Sequence, residues 1–248
     1  MSRAGNFAAA RILVRSRPRS PPTPVTDFRD SPASLIHSET VILLIRHGET
    51  VWNRSGRVQG WADSRLTEAG VAQARALAER LGGDRLEGLI SSDLGRARGT
   101  AAPIAGRLGI PIELDPALRE RHYGILEGRT LGEIERDHPE AYASLARRDP
   151  GYVIPGGESG AAFGERVLRA LERVASAHAG KRIAVVTHGG VLSALYRHAT
   201  PPGSSARRAA PPANASVNHV RFGSGRWLIE RWDDVAHLPR DTAGDPVD

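Results

Sequence analysis

Two short segments constrain the fold of this chain more than anything else in it: residues 41–45, VILLI, and residues 183–187, IAVVT. Each is a nearly unbroken apolar run rich in β-branched residues. A strand with one face in water alternates apolar and polar side chains. Unbroken runs therefore point to strands covered on both faces, as in a parallel sheet packed between helices. Helical patterns lie between and after them. Thr67 stands where an N-cap belongs, ahead of Val71, Ala74, Leu77, Ala78 and Leu81 at three- and four-residue spacing. The pattern further predicts a strand near 86–90, a helix from 95 to 108, a strand at 112–114, helices over 131–146 and 159–178, and a helix near 191–198. A proline-bearing loop is expected over 201–212. Residues 217–222 and 227–232 flank Gly223, Ser224 and Gly225 and read as an antiparallel hairpin. Strands alternating with helices give the α/β class, here a sandwich whose mostly parallel sheet ends in an antiparallel edge.

The 248 residues are ample for one large domain with a sizeable core. There is no cysteine, which excludes disulfides, cysteine-ligated zinc, iron–sulfur clusters and any cysteine nucleophile. No apolar run approaches the ~20 residues that span a bilayer, so a soluble, cytoplasmic protein with no membrane partner is expected. The formal net charge of +6 invites a nucleic-acid reading. Residues 1–39 hold six arginines against Asp27, Asp30 and Glu39, so half of that charge sits in the leader. The remainder mixes both signs and has no basic stripe interleaved with aromatics, which argues against a nucleic-acid groove. Pro18, Pro21, Pro22, Pro24 and Pro32 break any regular element in the leader, and no apolar periodicity survives there. The expected organisation is a disordered extension over 1–39 and a single domain over 40–248.

In open α/β sheets, ligands bind beyond the carboxyl ends of the strands. Both buried strands run into polar clusters at that end: Arg46-His47-Gly48-Glu49-Thr50 after the first, His188-Gly189-Gly190 after the second. One histidine past a strand is commonly structural. Two in the same topological position point to one pocket between them. Arg46 beside His47, with Arg96 opening a helix after Ser91 and Ser92, supplies two planar guanidinium forks suited to phosphate oxygens. An imidazole held among such cations can be neutral and nucleophilic, and phosphorus is an electrophile it can attack in line. Metal hydrolysis is the main rival use of paired histidines. No HxH or HExxH spacing is present, and clustered arginines repel a cation, so no metal and no cofactor are expected. The leaving oxygen needs an acid. Glu120, in LRERHYG after a strand and the Pro116 turn, is the first candidate, and Glu49 is the second.

RHGETVWN, SSDLGRARGTA, LRERHYGILEG, PGGES and VTHGG occur in this order. Together they resemble the histidine phosphatase superfamily, branch 1, the phosphoglycerate-mutase-like branch, over about residues 41–238. The resemblance implies a three-layer α/β/α sandwich. It implies that His47 is the phosphorylated nucleophile, that Arg46, Arg96 and a protonated His188 hold the transferring phosphoryl group with help from Asn53, and that Glu120 is the proton donor. Gln59, Gly60 and Arg119 stand where the family often contacts substrate, and Gly189 belongs to the same rim.

The same constellation serves a phosphatase or a mutase. The string ERHYG is mutase-like, but the mutase string continues into QGLNK, whereas Ile125-Leu126-Glu127-Gly128-Arg129-Thr130 follows here. The mutases also insert a long segment before the PGGES-like loop. Only 37 residues separate Glu120 from Glu158, too few for that insertion. A mutase must keep water from its phosphohistidine, so the favoured reading is a phosphomonoester hydrolase acting on small phosphorylated metabolites. Phosphoglycerate mutase is the first alternative and an inactive phosphate-binding module the second. A monomer or a homodimer is expected.

Overall fold

A computed structural model describes residues 39–201 and 211–239. The expected extension over 1–39 lies almost wholly outside the described residues, as does most of the loop expected over 201–212. Six strands build one sheet in the order β3-β2-β4-β1-β5-β6. They are β1 (Thr40–Arg46), β2 (Gly88–Ser91), β3 (Ile112–Leu114), β4 (Arg182–Thr187), β5 (Val217–Gly223) and β6 (Arg226–Asp234). The first four are mutually parallel, while β5 and β6 are antiparallel, so the expected antiparallel edge is a complete hairpin. Its turn is Ser224-Gly225, both with positive φ.

The pleat of the two buried strands sorts their side chains into two cores. Ile42 and Leu44 of β1, with Ile183 and Val185 of β4, face α6 (Gly160–Ala177) and α7 (Gly189–Ala199). Leu43 and Ile45, with Ala184 and Val186, face α2 (Glu68–Leu81) and α3 (Gly95–Leu108). Both faces are covered, which is why the two runs are apolar throughout. The result is the three-layer α/β/α sandwich. Thr67 caps α2 by accepting from the Gly70 amide, and Ser159 caps α6 by accepting from Ala162. Among the described residues no helix is long and apolar enough to cross a membrane.

One expected helix is two. The stretch over 131–146 divides into α4 (Leu131–Asp137) and α5 (Pro139–Arg147), with His138 between them at φ −139°, ψ 60°. Pro139 has no amide hydrogen and drives the residue before it out of the helical region, a local effect that overrides the continuous apolar periodicity. The one-turn α1 spans Val51–Arg54. The two short helices shelter a third, small core of Leu126, Ile134, Ala141 and Ile154, with Val58 packed against it.

The start of α2 presses on the loop that leaves β1. A Cβ at Gly70 would lie 2.0 Å from the Glu49 carbonyl oxygen, and one at Gly48 would lie 2.7 Å from the Gly70 carbonyl oxygen. Two backbones thus meet where neither has room for a side chain. In an open helix, Gly→Ala gains up to about 1 kcal/mol. Here Gly70→Ala is expected to lower the urea midpoint instead, because the methyl group must push the Glu49 backbone aside. A midpoint that stays or rises would show that the close approach carries no constraint.

Candidate active site

Parallel pairing of β1 with β4 ends at Arg46 opposite Thr187, and the His47 amide donates to the Thr187 carbonyl at 2.9 Å. The next residue on each strand is a histidine, so His47 and His188 are neighbours by register. Their ring centroids are 5.3 Å apart, and both are buried. From these two ends the chain departs in opposite directions, β1 toward α2 on one face and β4 into α7 on the other, which opens a crevice at the switch point. A cavity of about 340 Å³ occupies it.

His47 lines the cavity. Its Nδ1 lies 2.8 Å from the Gly48 carbonyl oxygen, which only accepts. Nδ1 therefore carries the proton, and Nε2 keeps its lone pair. Arg46 donates through Nη1 to the Pro212 carbonyl at 2.6 Å. Arg96, 1 % exposed in the first turn of α3, donates through Nη2 to the Gly60 carbonyl at 2.7 Å and through Nη1 to Ala62 and Asp63. In both arginines Nε is buried without a protein partner, and so is Nδ1 of His188, whose Nε2 lies 2.8 Å from the Ser92 hydroxyl. Buried polar groups are nearly always hydrogen-bonded. Arg46 and Arg96 line the cavity with His47, and His188 lies beside that ring without being part of the wall; unpaired nitrogens on such residues suit an anion with several oxygens.

Burial and the two arginines, Arg96 more than Arg46, hold the His47 imidazole well below its usual range. His188 is held down by burial, then Arg96, His47 and Arg46. Both rings are neutral at pH 7. For His47 this is the expected nucleophilic form. For His188 the empty site favours the neutral ring, because a third cation beside two arginines is unfavourable until an anion arrives; the expected imidazolium belongs to the phosphoryl-bound state. When the Ser92 hydroxyl donates to Nε2, Nδ1 of the neutral ring bears the hydrogen that such an anion accepts.

Glu120 reaches the cavity from the segment after β3. Its Oε1 accepts from the Arg121 amide and its Oε2 from the Gly190 amide in the first turn of α7, both at 2.8 Å. The backbone beneath it is braced. Arg166 on α6 donates to the carbonyls of Ala117, Arg119 and Glu120 while pairing with Glu158 at 2.6 Å, and Trp61 Nε1 donates to the Glu120 carbonyl at 2.9 Å. Glu158 of PGGES is thus a brace rather than part of the rim. Glu49, the second candidate acid, is turned away: its Oε1 accepts from Thr67 Oγ1 and Arg54, tying α1 to the start of α2.

Asn53, Gln59, Gly60 and Gly189 line the same cavity. Asn53 spends its Oδ1 on the Thr50 amide and on Asn214 Nδ2, and the Gln59 Oε1 is buried without a partner. Arg119 is not on the wall; it pairs with Asp93 at 2.7 Å and lies over the Trp61 ring. Beyond the arginine cage the wall is Val58, Leu131, Leu145 and Tyr123, with Arg57 the cation of that side. Burial raises the Tyr123 phenol to about 12. Sequence reasoning missed Asn214, whose Nδ2 also donates to the His47 carbonyl at 3.0 Å, and Arg166. No spacing signal marks either, because each meets the site from a distant part of the chain. Among the described residues no group of three His, Asp or Glu side chains is gathered as a metal ligand set.

The model of the histidine phosphatase superfamily (branch 1) matches residues 42–235. The chain belongs to this superfamily. A metal-independent phosphoserine phosphatase of Arabidopsis thaliana is 44 % identical over 216 residues, covering 86 % of this chain and 89 % of the relative. Phosphoglycerate mutase-like protein 4 of the same plant is 42 % identical over 201 residues, 79 % of this chain and 86 % of the relative. Among solved structures, the YhfR protein of Bacillus stearothermophilus is 35 % identical with a TM-score of 0.73, covering 81 % of this chain and all of that one. As a histidine phosphatase, the chain is an enzyme that acts on small phosphorylated substrates.

The electrostatics give a direct expectation. The unfolded chain takes up protons on histidine near pH 6.5, whereas folded His47 and His188 do not, so both lower stability as the pH falls below that value. In histidine-labelled protein, side-chain nitrogen shifts should hold both rings neutral from pH 8 to 6. Arg96→Gln removes a charge that depresses both and should move both midpoints upward. Midpoints near 6.5 in the unsubstituted protein would contradict the arrangement.

Proposed function

We propose that the chain is a metal-independent phosphomonoester hydrolase that works through a phosphohistidine on His47. The observation that carries this reading is the set of unpaired nitrogens on Arg46, Arg96 and His188 around a neutral imidazole with a free Nε2 lone pair. In the first step Nε2 attacks phosphorus in line, the bond to the ester oxygen breaks, and Glu120 delivers its proton to the departing alkoxide. In the second, water attacks the phosphohistidine, Glu120 takes the proton back, the P–N bond breaks and inorganic phosphate leaves. Arg46, Arg96, His188 and the Asn53 amide receive the equatorial oxygens. Preorganised donors of this kind contribute roughly 3–4 kcal/mol each. The arginines also lower the His47 pKa, so one pair of charges binds the phosphoryl group and keeps its acceptor unprotonated.

The leaving alcohol then lies toward Val58, Leu131, Leu145 and Tyr123, where Arg57, whose Nη1 is paired with Glu133 at 2.9 Å, is the cation a substrate carboxylate would meet. The phosphoserine phosphatase relative makes O-phosphoserine the first ester to test, with 3-phosphoglycerate beside it, since both carry that carboxylate. The mutase reading keeps support from the second relative. Against it stands the short segment between Glu120 and Glu158, which holds only a 3-10 turn, α4 and α5.

Phosphate release from both esters, with no 2-phosphoglycerate formed, is the expected result; efficient 2-phosphoglycerate formation would make the protein a mutase. His47→Ala should lower turnover by a factor on the order of 10⁴ or more and abolish acid-labile labelling by ³²P-substrate. Glu120→Gln should slow poor leaving groups most, while esters with acidic alcohols such as p-nitrophenyl phosphate lose less. Full activity of His47→Ala would end the assignment.

A further inference from the structure

Glu127 takes no part in the chemistry above, yet it is among the most heavily engaged carboxylates near the cavity. It follows the single 3-10 turn over Gly124–Leu126, and its side chain is 12 % exposed. Its Oε1 accepts from the amides of Trp61 and Tyr123, each at 2.9 Å, and its Oε2 accepts from the Ala62 amide at 2.7 Å. The same loop, seen from its other side, holds Arg96: the Gly60 carbonyl accepts from Nη2 at 2.7 Å and the Ala62 carbonyl from Nη1 at 3.2 Å.

We propose that Glu127 is a positioning residue that aims Arg96 at the phosphoryl group through the Gly60–Trp61 peptide. The Gly60 carbonyl and the Trp61 amide belong to one trans peptide unit, so they point in opposite directions in one plane. The carboxylate binds the amide edge and the guanidinium binds the carbonyl edge. The peptide dipole lies between an anion and a cation in its favourable sense, and it cannot tilt without weakening both bonds. Gly60 makes the arrangement possible. It has φ +61°, and a Cβ there would lie 2.1 Å from Glu127 Oε1. This gives the glycine a role in admitting the carboxylate, besides lining the cavity.

The charge and the two acceptor oxygens are both needed. A glutamine of the same shape accepts through one oxygen only and turns an N–H₂ group toward one of three backbone amides. One hydrogen bond becomes a repulsion, and the anion facing the peptide is lost.

This inference rests on the phosphatase reading, so its test reads oxyanion binding separately from turnover. The probe is inorganic phosphate, measured by calorimetry, with kcat/KM on O-phosphoserine alongside. Removing a transition-state donor outright costs about 100- to 1,000-fold in kcat. A misaimed one should cost less, so Glu127→Gln is expected to weaken phosphate binding and lower kcat/KM by about tenfold each. In an Arg96→Lys background the same substitution should add less than a twofold further loss, because the residue acts through the fork that lysine lacks. A general structural role would instead multiply the two losses. Should Glu127→Gln fail to fold, Glu127→Asp carries the same cycle with the charge kept and the reach shortened. Unchanged phosphate affinity in the variant, or losses that multiply, would overturn the proposal. A protein that binds no phosphate and hydrolyses no ester would instead overturn the functional reading on which it rests.

Discussion

Everything at the site depends on the register between β1 and β4. Because Arg46 pairs with Thr187, the two strands end level, and the residue after each is a histidine. A shift of one position would carry the side chains to opposite faces of the sheet. The register is held by the particular packing of each face, one against α6 and α7 and the other against α2 and α3. Divergent departure of the chain toward α2 and α7 then opens the crevice. Fold and site are set by the same hydrophobic packing.

At the crevice and just behind its wall the protein carries polar groups it does not satisfy. Nε of Arg46, Nε of Arg96 and Nδ1 of His188 are buried and unpaired. Unpaired buried donors cost about 1–3 kcal/mol each, more when charged, and the surrounding structure must hold them in place. Here it does so through backbone carbonyls: Pro212 fixes Arg46, Gly60 and Ala62 fix Arg96, and Asn214 donates to the carbonyl of His47 itself. Glu158 and Arg166 do the same for the segment that presents Glu120. Rigid cations with spare donors are preorganised for an oxyanion, and a bound phosphate dianion offsets the cost of their isolation.

Much of this was legible in the residues. The unbroken apolar runs required strands buried on both faces, and periodicity, with a cap at Thr67 for the first, placed α2 and α6. Histidine-glycine pairs beyond both runs led to the cavity, whose wall holds His47, Arg46, Arg96 and Gly189. Where local reading failed, a local or a distant force was responsible. Pro139 split a helix that apolar spacing alone made continuous. Arg119 went to Asp93, and Glu49 went to Thr67 and Arg54, because each had a nearer partner than the cavity. Asn214 and Arg166 carried no pattern at all, and Glu127 stood in the LRERHYGILEG string with no sign of its role, since their importance lies in backbone atoms that only folding brings to them.

The sequence by itself determined the class of fold and set a histidine just beyond each of the two buried strands, in a chain without cysteine. These follow from side-chain hydrophobicity and type, which act over a few residues. Tertiary structure alone decided that His188 is held toward its neutral form, which carboxylate reaches the cavity, and how each guanidinium is aimed. Protonation depends on burial and on charges from other elements, and aim depends on hydrogen bonds between segments far apart in the chain.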